Sequence, residues 1–354
     1  MERPEGAIPW RKPVRFGVLG CSATAGRRTL PVVCRLTGVR VAAIASRSRA
    51  RAERFATEFD SLGVSPDELL DRPDVDAIYL SVPIEERVEW AERALRAGKH
   101  LLCEKPMTAV AADTRRLVEL AAAQGLVLRE NTAFVHHPQH AEVAALVAGG
   151  RIGPVRAFHA EFRASPPPPP PDERYDPDVG DGALLEMGVY PLRAAQLLLG
   201  PGVAVASATL SDGDSDGDVA GVGDRPGTAS GGQVMLVARG GTLAHLEFGF
   251  APAPHARYSL WGATARLSVE RAFTSPPSWR PRVRIDGPGS TELLDFEPAD
   301  QCALALTEFV SAVRGEDPPP HAPDPVAVLV ETAELLDAVR EHVAQVPVRA
   351  TAGF

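Results

Sequence analysis

One lysine in this sequence has the position and the neighbours expected of a group that does chemistry. Lys105 follows the short apolar run His100–Cys103, within the tripeptide Glu104-Lys105-Pro106. Open α/β sheets bind ligands at the carboxyl edge of their strands, so a lysine directly after a buried strand is well placed to meet a substrate. Pro106 fixes its own φ and thereby holds the turn that aims Lys105. An ordinary surface lysine is the alternative.

A second set of polar residues lies on the apolar segment Asp181–Arg193. Helical periodicity places Glu186, Tyr190 and Arg193 there at i, i+4 and i+7, on one face. Burying these groups unpaired would cost on the order of 1–3 kcal/mol each. The stripe must therefore face water, a partner or a ligand, with a half-buried structural Tyr190 as the alternative.

The first apolar run indicates dinucleotide binding. Val14–Leu19 leads into Gly20-Cys21-Ser22-Ala23-Thr24-Ala25 and then a helical pattern. A pyrophosphate meets backbone amides and the positive end of a helix at such a junction. The usual glycine pattern is reduced here to Gly20, Ser22 and Ala25, but all three residues are small. A tight turn without a ligand would also explain them, and the βαβ units that follow favour the dinucleotide.

The end of the second predicted strand indicates which dinucleotide binds. An Asp or Glu at this place would bond the ribose 2′-hydroxyl of NAD. This sequence has Ser46 and Arg47 instead, which can donate to a 2′-phosphate. We therefore expect NADP(H), with a solvated Arg47 as the alternative.

These candidate residues depend on an alternation of strands and helices in the first part of the chain. The alternation predicts a doubly wound parallel sheet, an α/β Rossmann domain for dinucleotide binding over 14–133. The predicted strands are Val14–Leu19, Val39–Ala45, Asp76–Val82, His100–Cys103 and Leu126–Leu128. The predicted helices lie near Arg27–Leu36, Arg49–Glu58, Asp67–Leu70, Glu85–Ala97 and Ala109–Gln124.

The pattern changes over 134–354, which predicts an α+β domain for substrate binding and oligomerisation, with an open, largely antiparallel sheet. Strands are expected at Val155–Phe162, Val203–Leu210, Gln233–Arg239, Thr242–Phe250, Tyr258–Gly262 and Ala265–Val269. Helices are expected at His140–Ala148, Gly182–Leu199, Gln301–Arg314 and Pro325–Val343. The run Pro166–Pro171 predicts a polyproline II connector, with a protein-binding motif as the alternative. Ser211–Gly232 predicts a long flexible loop.

Composition argues against several classes of partner. The chain has 354 residues, 45% of them hydrophobic, and 37 Lys+Arg against 46 Asp+Glu give a net charge of −9. An acidic chain without basic and aromatic clusters is not typical of a protein that binds nucleic acid or anionic membranes. Residues 1–13 lack the apolar segment of a secretory signal, and no apolar run approaches the ~18 residues of a spanning helix. We expect a cytoplasmic protein.

The tripeptide Glu104-Lys105-Pro106 and the polar residues of the segment Asp181–Arg193 carry a family resemblance. The sequence resembles the glucose–fructose oxidoreductase / inositol dehydrogenase / rhizopine catabolism family of dehydrogenases over nearly its whole length. The resemblance implies that Lys105 lies near the nicotinamide and the reacting carbonyl. It implies that Tyr190 exchanges a proton with the substrate oxygen, with the Lys105 ammonium lowering the Tyr190 pKa. It also implies a homodimer or homotetramer. The cofactor contacts expected are Gly20, Cys21, Ser22, Ala23, Thr24, Ser46, Arg47, Arg51, Val82, Pro83, Glu104, Lys105 and Asn131.

Further motifs are similar to the branch of nucleotide-sugar 3-ketoreductases of deoxysugar biosynthesis: Glu130-Asn131, His136-His137-Pro138-Gln139-His140, Arg174-Tyr175-x-Pro177 and Gly188–Arg193. The substrate contacts expected from this resemblance are His136, Tyr175, Glu186, Tyr190 and Arg193. The histidines could suggest a metal site, but no acid or cysteine lies at ligand spacing. The four cysteines form no CxxC pair, which argues against zinc and against a disulfide framework. We expect no metal.

The sequence departs from the family pattern at two places. Pro83-Ile84-Glu85-Glu86-Arg87 stands where the family usually has Pro-Asn/Thr-x-x-His, and Glu186 stands where it usually has Asp. The leading hypothesis is an NADPH-dependent reductase of a keto sugar that is nucleotide-linked. An NADP-dependent dehydrogenase of a free sugar, polyol or dihydrodiol would use the same residues in reverse. A non-catalytic cofactor-binding regulator is the third hypothesis. Lys105 and Tyr190 argue against it, whereas Ile84 and Arg87 favour it.

Overall fold

The structure of the protein, a computed structural model, describes residues 12–165, 182–212, 229–251, 253–316 and 324–343. Within these ranges the chain forms two sheets, one parallel and one mixed, with helices packed against both. None of the helices in these ranges is both long and apolar enough to cross a membrane. The predicted proline connector, Pro166–Pro171, and the candidate substrate residue Tyr175 lie outside the described residues.

The first sheet is parallel and has six strands in the order β3-β2-β1-β4-β5-β6. Its strands are β1 (Val14–Leu19), β2 (Val39–Ala45), β3 (Leu62–Val64), β4 (Ala77–Leu80), β5 (His100–Cys103) and β6 (Leu128–Glu130). Its helices are α1 (Leu30–Val33), α2 (Arg49–Glu58), α3 (Pro66–Asp71), α4 (Ile84–Arg96) and α5 (Ala111–Ala123). The central strands are apolar runs buried on both faces, as a sheet covered by helices on two sides requires. This confirms the predicted Rossmann architecture.

The second sheet has eight strands in the order β14-β13-β12-β11-β7-β10-β9-β8, and only β7 and β10 pair in parallel. The strands are β7 (Val155–Ala164), β8 (Ala204–Asp212), β9 (Ala229–Val237), β10 (Leu243–Phe250), β11 (His255–Gly262), β12 (Arg266–Glu270), β13 (Arg282–Gly287) and β14 (Ser290–Asp295). One face packs against α6 (Pro138–Ala148) and α7 (Val189–Leu199). The sheet confirms the predicted α+β class.

Of the last two helices, the first packs against the parallel sheet and the second contributes residues to the cores of both sheets. These are α8 (Gln301–Val313) and α9 (Pro325–Glu341). Phe309 of α8 is fully buried with its ring 5.7 Å from that of Phe16 in β1, and Leu329 of α9 joins the core between the sheet and α4. The two sheets are therefore tied together by the end of the chain as well as by the connection after β6.

Three features differ from the sequence predictions. β6 begins at Leu128 rather than Leu126, because the Leu126 N–H still bonds the Ala121 carbonyl, closing the end of α5 after Gly125 at φ +64°. The predicted loop Ser211–Gly232 is wrong at both ends, since β8 runs to Asp212 and β9 starts at Ala229, and the rest of it lies outside the described residues. The strands β3, β13 and β14 were not predicted; β3 is short, and the Arg, Asp and Glu residues of the other two mask their alternation.

Candidate active site

The turn after β1 keeps its backbone open to a ligand. Gly20 has φ +106°, and a Cβ on it would lie 2.2 Å from the Ser81 carbonyl oxygen at the end of β4. Only glycine fits there. The Ser22 hydroxyl bonds the Ser81 hydroxyl at 2.5 Å and accepts from the Ala25 N–H, which locks the two strand ends together. Such a cradle suits the close approach of a dinucleotide pyrophosphate.

The residues after Gly20 enter a helix whose first turns are wide. Ala23 and Thr24 precede a π-helical turn, Ala25–Thr29, which continues into α1. This part of the helix has no acidic residue to oppose an anion at its positive end. Burial raises the pKa of Cys21 to about 11 despite Arg51 and Ser46 nearby, so its thiol stays neutral beside the turn.

The end of β2 carries the residues expected at the adenosine side of the cofactor. The Arg47 side chain is 76% exposed and pairs with Glu86 at 2.9 Å. An exposed pair of this kind contributes little, so Arg47 can turn to a stronger anion. Arg51 donates to the Cys21 carbonyl at 3.1 Å, which ties α2 to the Gly20 turn. Ser46 accepts from the Ser48 N–H at 3.3 Å.

Lys105 lies where the sequence predicted, directly after β5, and its side chain is only 14% exposed. Its ammonium donates to the Glu186 backbone carbonyl at 2.7 Å and lies 3.8 Å from the Glu186 carboxylate. It also lies 5.1 Å from the centroid of the Tyr190 ring. The structure thus brings Lys105 to Glu186 and Tyr190, although Lys105 and Glu186 are 81 residues apart in the chain.

Glu104 anchors the loop that carries Lys105. Its buried carboxylate accepts from the Tyr79 hydroxyl at 2.5 Å and from the Asn131 side chain at 2.7 Å. The Tyr79 hydroxyl in turn accepts from Thr29 at 3.1 Å. One carboxylate oxygen of Glu104 is therefore held by protein groups, and Asn131 reaches the cofactor region through the same network. These bonds link β4, β5 and the end of β6.

The helix that carries Tyr190 begins with a second π-helical turn, Leu184–Gly188, before α7. Such turns are rare and occur often at functional sites. In the π register the Glu186 carbonyl would look to the N–H of residue 191, but Pro191 has none. Lys105 supplies a donor to this carbonyl instead. The helix backbone, as well as its side chains, therefore helps to place Lys105.

Tyr190 is seated against aromatic rings and stays protonated at neutral pH. Its ring centroid lies 4.8 Å from that of Phe162 and 5.7 Å from that of Phe134. Burial raises the pKa of Tyr190, and Lys105 offsets the rise only in part. The expected lowering effect of Lys105 on the Tyr190 pKa is confirmed, but burial outweighs it, so the net shift is upward. Burial works against the ammonium of Lys105, but the charge that Tyr190 carries once ionised, together with Glu186 and Glu104, outweighs burial, so the Lys105 pKa is raised.

His136 and Arg193 are the other expected substrate residues that the structure describes. His136 ends a short 3₁₀ helix, Ala133–His136, and burial lowers its pKa although Glu308 opposes this, so it is neutral at pH 7. Arg193 lies about one turn further along α7 than Tyr190. Its guanidinium donates to the Gln196 side chain at 3.3 Å. Burial lowers the Arg193 pKa against the opposing effect of Glu130.

The neighbouring histidines, His137 and His140, are buried and make hydrogen bonds inside the protein. The His140 Nε2–H donates to the Ala272 carbonyl at 3.1 Å, so Nδ1 accepts from the Tyr258 hydroxyl at 2.9 Å. The His137 Nδ1 accepts from the Gln139 N–H. Within the described ranges no cluster of three or more His, Cys, Asp or Glu is placed to hold a metal ion.

Two residues contribute to this site in ways that the sequence did not indicate: Tyr79 was not singled out, and Arg87 was noted only within a departure from the family pattern. Tyr79 lies within the buried strand β4. A tyrosine in an otherwise apolar strand indicates a polar partner for its hydroxyl, and this pattern could have identified Tyr79 from the sequence. Arg87 donates to the carbonyls of Val82, Glu104 and Pro106, at the edge where Lys105 lies. Its signal was a cation in the first turns of a helix, where the macrodipole disfavours it.

Comparison with known proteins agrees with this geometry. Residues 14–132 match the model for the "Oxidoreductase family, NAD-binding Rossmann fold", and residues 140–268 match the "GFO/IDH/MocA C-terminal domain". The matched segments contain the Gly20 turn, Lys105 and Tyr190.

Full-length relatives are also similar. The dTDP-3,4-didehydro-2,6-dideoxy-alpha-D-glucose 3-reductase of Saccharopolyspora spinosa is 42% identical over 334 residues, 93% of this chain and 97% of the relative. The enzyme of the same name from Actinomadura kijaniata is 41% identical over 345 residues, 96% of this chain and 97% of the relative. A crystal structure of a 3-ketoreductase from Actinomadura kijaniata, in complex with NADP and TDP-benzene, is 40% identical with a TM-score of 0.85, covering 94% of this chain and 98% of that chain. The chain therefore belongs to the Gfo/Idh/MocA oxidoreductase family.

Proposed function

We propose that this protein is an NADPH-dependent ketoreductase that reduces a keto group of a nucleotide-linked deoxysugar. The observation that carries the proposal is the buried ammonium of Lys105 beside the Tyr190 ring, at the carboxyl edge of a dinucleotide-binding sheet. Relatives that are more than 40% identical are named as 3-reductases of a dTDP-linked keto deoxysugar. Cofactor binding is assigned to 14–133 and substrate binding to 134–354.

The cofactor is NADP(H), and when bound it supplies the hydride. The backbone of the Gly20 turn would hold its pyrophosphate, with Cys21, Ser22, Ala23 and Thr24 around it. Ser46, Arg47 and Arg51 are assigned to its adenosine end, where Arg47 gives a positive charge to a 2′-phosphate. Val82, Pro83, Glu104, Lys105 and Asn131 line the strand ends on the nicotinamide side.

Two protonated groups act on the substrate oxygen. The Lys105 ammonium polarises the ketone and stabilises the alkoxide that develops as the carbonyl carbon is reduced. The Tyr190 hydroxyl gives its proton to that oxygen, which becomes the alcohol, and solvent then reprotonates Tyr190. The raised pKa values of both groups keep their protons in place at neutral pH until the alkoxide forms.

The substrate is assigned to the space bounded by His136, Glu186, Tyr190 and Arg193, with Tyr175 as a further expected contact. Glu186 is exposed beside the Lys105 ammonium, where its carboxylate can accept from a sugar hydroxyl. His136 is neutral and can donate or accept. The assigned residues combine hydrogen-bonding side chains with the aromatic ring of Tyr190, which suits a sugar with both apolar and hydroxylated faces.

The test is turnover by purified protein with NADPH and a set of keto substrates. The set contains dTDP-3,4-didehydro-2,6-dideoxy-α-D-glucose, free keto sugars, and NADP⁺ with polyols or aldoses. Oxidation of NADPH with the nucleotide sugar, and a reduced sugar product by NMR, supports the proposal. Turnover only with free polyols and NADP⁺ would make the protein a dehydrogenase. Tight NADPH binding without any turnover would point to a regulator.

We also propose that the cytoplasmic enzyme is a homodimer or homotetramer, joined through the uncovered face of the eight-stranded sheet. Trp261 and Leu243 are 46% and 50% exposed on strands of this sheet, among paired charges such as Glu161 with Arg257. A face with large apolar residues among polar ones is typical of a subunit contact. Sedimentation should give a dimer or larger at micromolar concentration, and a Trp261→Glu variant should weaken it.

A further inference from the structure

Arg87 joins the ends of two neighbouring strands at the candidate site. It lies in the first turns of α4, directly after β4. Its Nε donates to the Val82 carbonyl at 3.0 Å, at the end of β4. A terminal nitrogen of the same guanidinium donates to the carbonyls of Glu104 and Pro106, the residues on either side of Lys105. The guanidinium thus spans the gap between β4 and the loop after β5.

The position of Arg87 runs against the preference of its helix. A cation near the positive end of a helix is disfavoured by about 0.3–1 kcal/mol. The two preceding residues, Glu85 and Glu86, follow the preference, and Glu86 pairs with Arg47 rather than with Arg87. A residue that breaks a local rule is expected at a functional site, where another interaction offsets its cost. The three backbone carbonyls supply that interaction.

The loop around Lys105 is held from two sides. Arg87 binds its carbonyls, and the Glu130 carboxylate accepts from the Met107 N–H at 2.7 Å. Arg87 reaches its three acceptors from two nitrogens of one planar group, whereas a lysine offers a single nitrogen at the end of a flexible stem. The backbone atoms on both sides of Lys105 are therefore fixed by Arg87, whereas the Lys105 side chain is placed by Glu186 and Tyr190.

We propose that Arg87 is a positioning residue for the ketoreductase reaction, which fixes the Lys105 loop so that the ammonium meets the substrate oxygen. The inference rests on the proposed function, because it assigns Lys105 to that oxygen. Arg87 itself does not touch the reacting atoms. It acts through Lys105, so its contribution to the rate should vanish when Lys105 is absent.

A double-mutant cycle tests this dependence. Single-turnover hydride transfer is measured, at saturating NADPH and nucleotide sugar, for wild type, Arg87→Gln, Lys105→Ala and the double variant. In the wild-type background Arg87→Gln should slow transfer by about 10- to 100-fold, the usual effect of misplacing a reacting group by about 1 Å. In the Lys105→Ala background it should slow transfer by less than about threefold. NADPH affinity and melting temperature are measured alongside.

Equal fractional losses in both backgrounds, or an Arg87→Gln rate within about twofold of wild type, would overturn the inference. Arg87→Lys keeps the charge and is the second variant; it should fold and show an intermediate loss. If neither variant folds, Arg87 is a stability element and the inference is wrong.

The control is Arg96→Gln in the last turn of α4, where Arg96 pairs with Glu92 away from the loop; it should leave the rate unchanged. If the wild-type protein shows no hydride transfer, the proposed function is wrong. If the wild type is active but the effects of the two substitutions simply add, only the inference about Arg87 is wrong.

Discussion

The ammonium of Lys105 lies 5.1 Å from the centroid of the Tyr190 ring, and it is held there by the Glu186 backbone carbonyl at 2.7 Å. Lys105 lies in the loop after β5 of the parallel sheet, and Tyr190 belongs to a helix packed on the other sheet. The pair therefore exists only because the two sheets are held together. A site of this kind should fail when either proton-bearing group is removed, without loss of the fold.

Replacing Lys105 by Ala should slow single-turnover hydride transfer by about 10²- to 10³-fold or more, since it removes the charge that stabilises the developing alkoxide. The chain has two other lysines, Lys12 and Lys99. Lys12 is exposed, and Lys12→Ala is the matched control with an unchanged rate. A Lys105→Ala enzyme that keeps a third of the wild-type rate would remove Lys105 from the reaction.

Replacing Arg47 by Ala should weaken NADPH binding by about 10- to 100-fold, the loss of a hydrogen bond to a charged group. NADH binding should change little, because NADH has no 2′-phosphate. Isothermal titration with both cofactors measures this. Arg49→Ala serves as the control, since Arg49 is nearby but pairs with Glu53 and Glu68. Wild-type protein that binds NADH as tightly as NADPH would contradict the assigned specificity.

The buried His140 should make stability fall in acid. Burial, together with His137, lowers its pKa from 6.5 to about 3. The unfolded chain therefore binds the extra proton first, so the contribution is complete above about pH 6.5 and is lost as pH falls toward about 3. At about pH 5 the loss is about 2 kcal/mol.

A His140→Gln variant isolates this effect, because Gln can bond Tyr258 and Ala272 but does not titrate. The difference in unfolding free energy between wild type and variant should shrink by about 2 kcal/mol as pH falls from about 7 to about 5, measured by urea denaturation. A difference that stays constant over this range would show that His140 is not the group that titrates.

The local patterns that predicted the sheets are strong ones. Strands such as Val14–Leu19 and His100–Cys103 are continuous apolar runs, and the structure has them with the predicted bounds. A strand such as β13 alternates arginines with buried Val283 and Ile285. Its identity depends on its neighbours in the sheet, which a single sequence does not show.

Site residues whose side-chain type carries the chemistry could be predicted from the sequence. Features that depend on how distant parts of the chain pack together could not. Lys105 and Tyr190 follow from motif and family resemblance. The bonds from Arg87 to three carbonyls depend on which strand ends lie side by side, a long-range fact. The direction of the Tyr190 pKa depends on how deeply its ring is buried, and periodicity gives the face of a helix but not the depth.

The central claim is that the Tyr190 hydroxyl gives its proton to the substrate oxygen. Tyr190→Phe keeps the ring against Phe134 and Phe162 and deletes only the hydroxyl, so the fold and the affinity for NADPH should survive. Melting temperature and NADPH titration check both. The deciding measurement is single-turnover hydride transfer to the nucleotide sugar at saturating NADPH, which keeps product release from hiding the effect.

We expect Tyr190→Phe to slow this transfer by roughly 10²- to 10⁴-fold, the contribution of a positioned general acid. A partial residual rate is expected, because Lys105 or water can replace the donor. A variant that transfers hydride within about threefold of wild type would contradict the account, and the proton would then come from elsewhere, with Lys105 and His136 the next candidates.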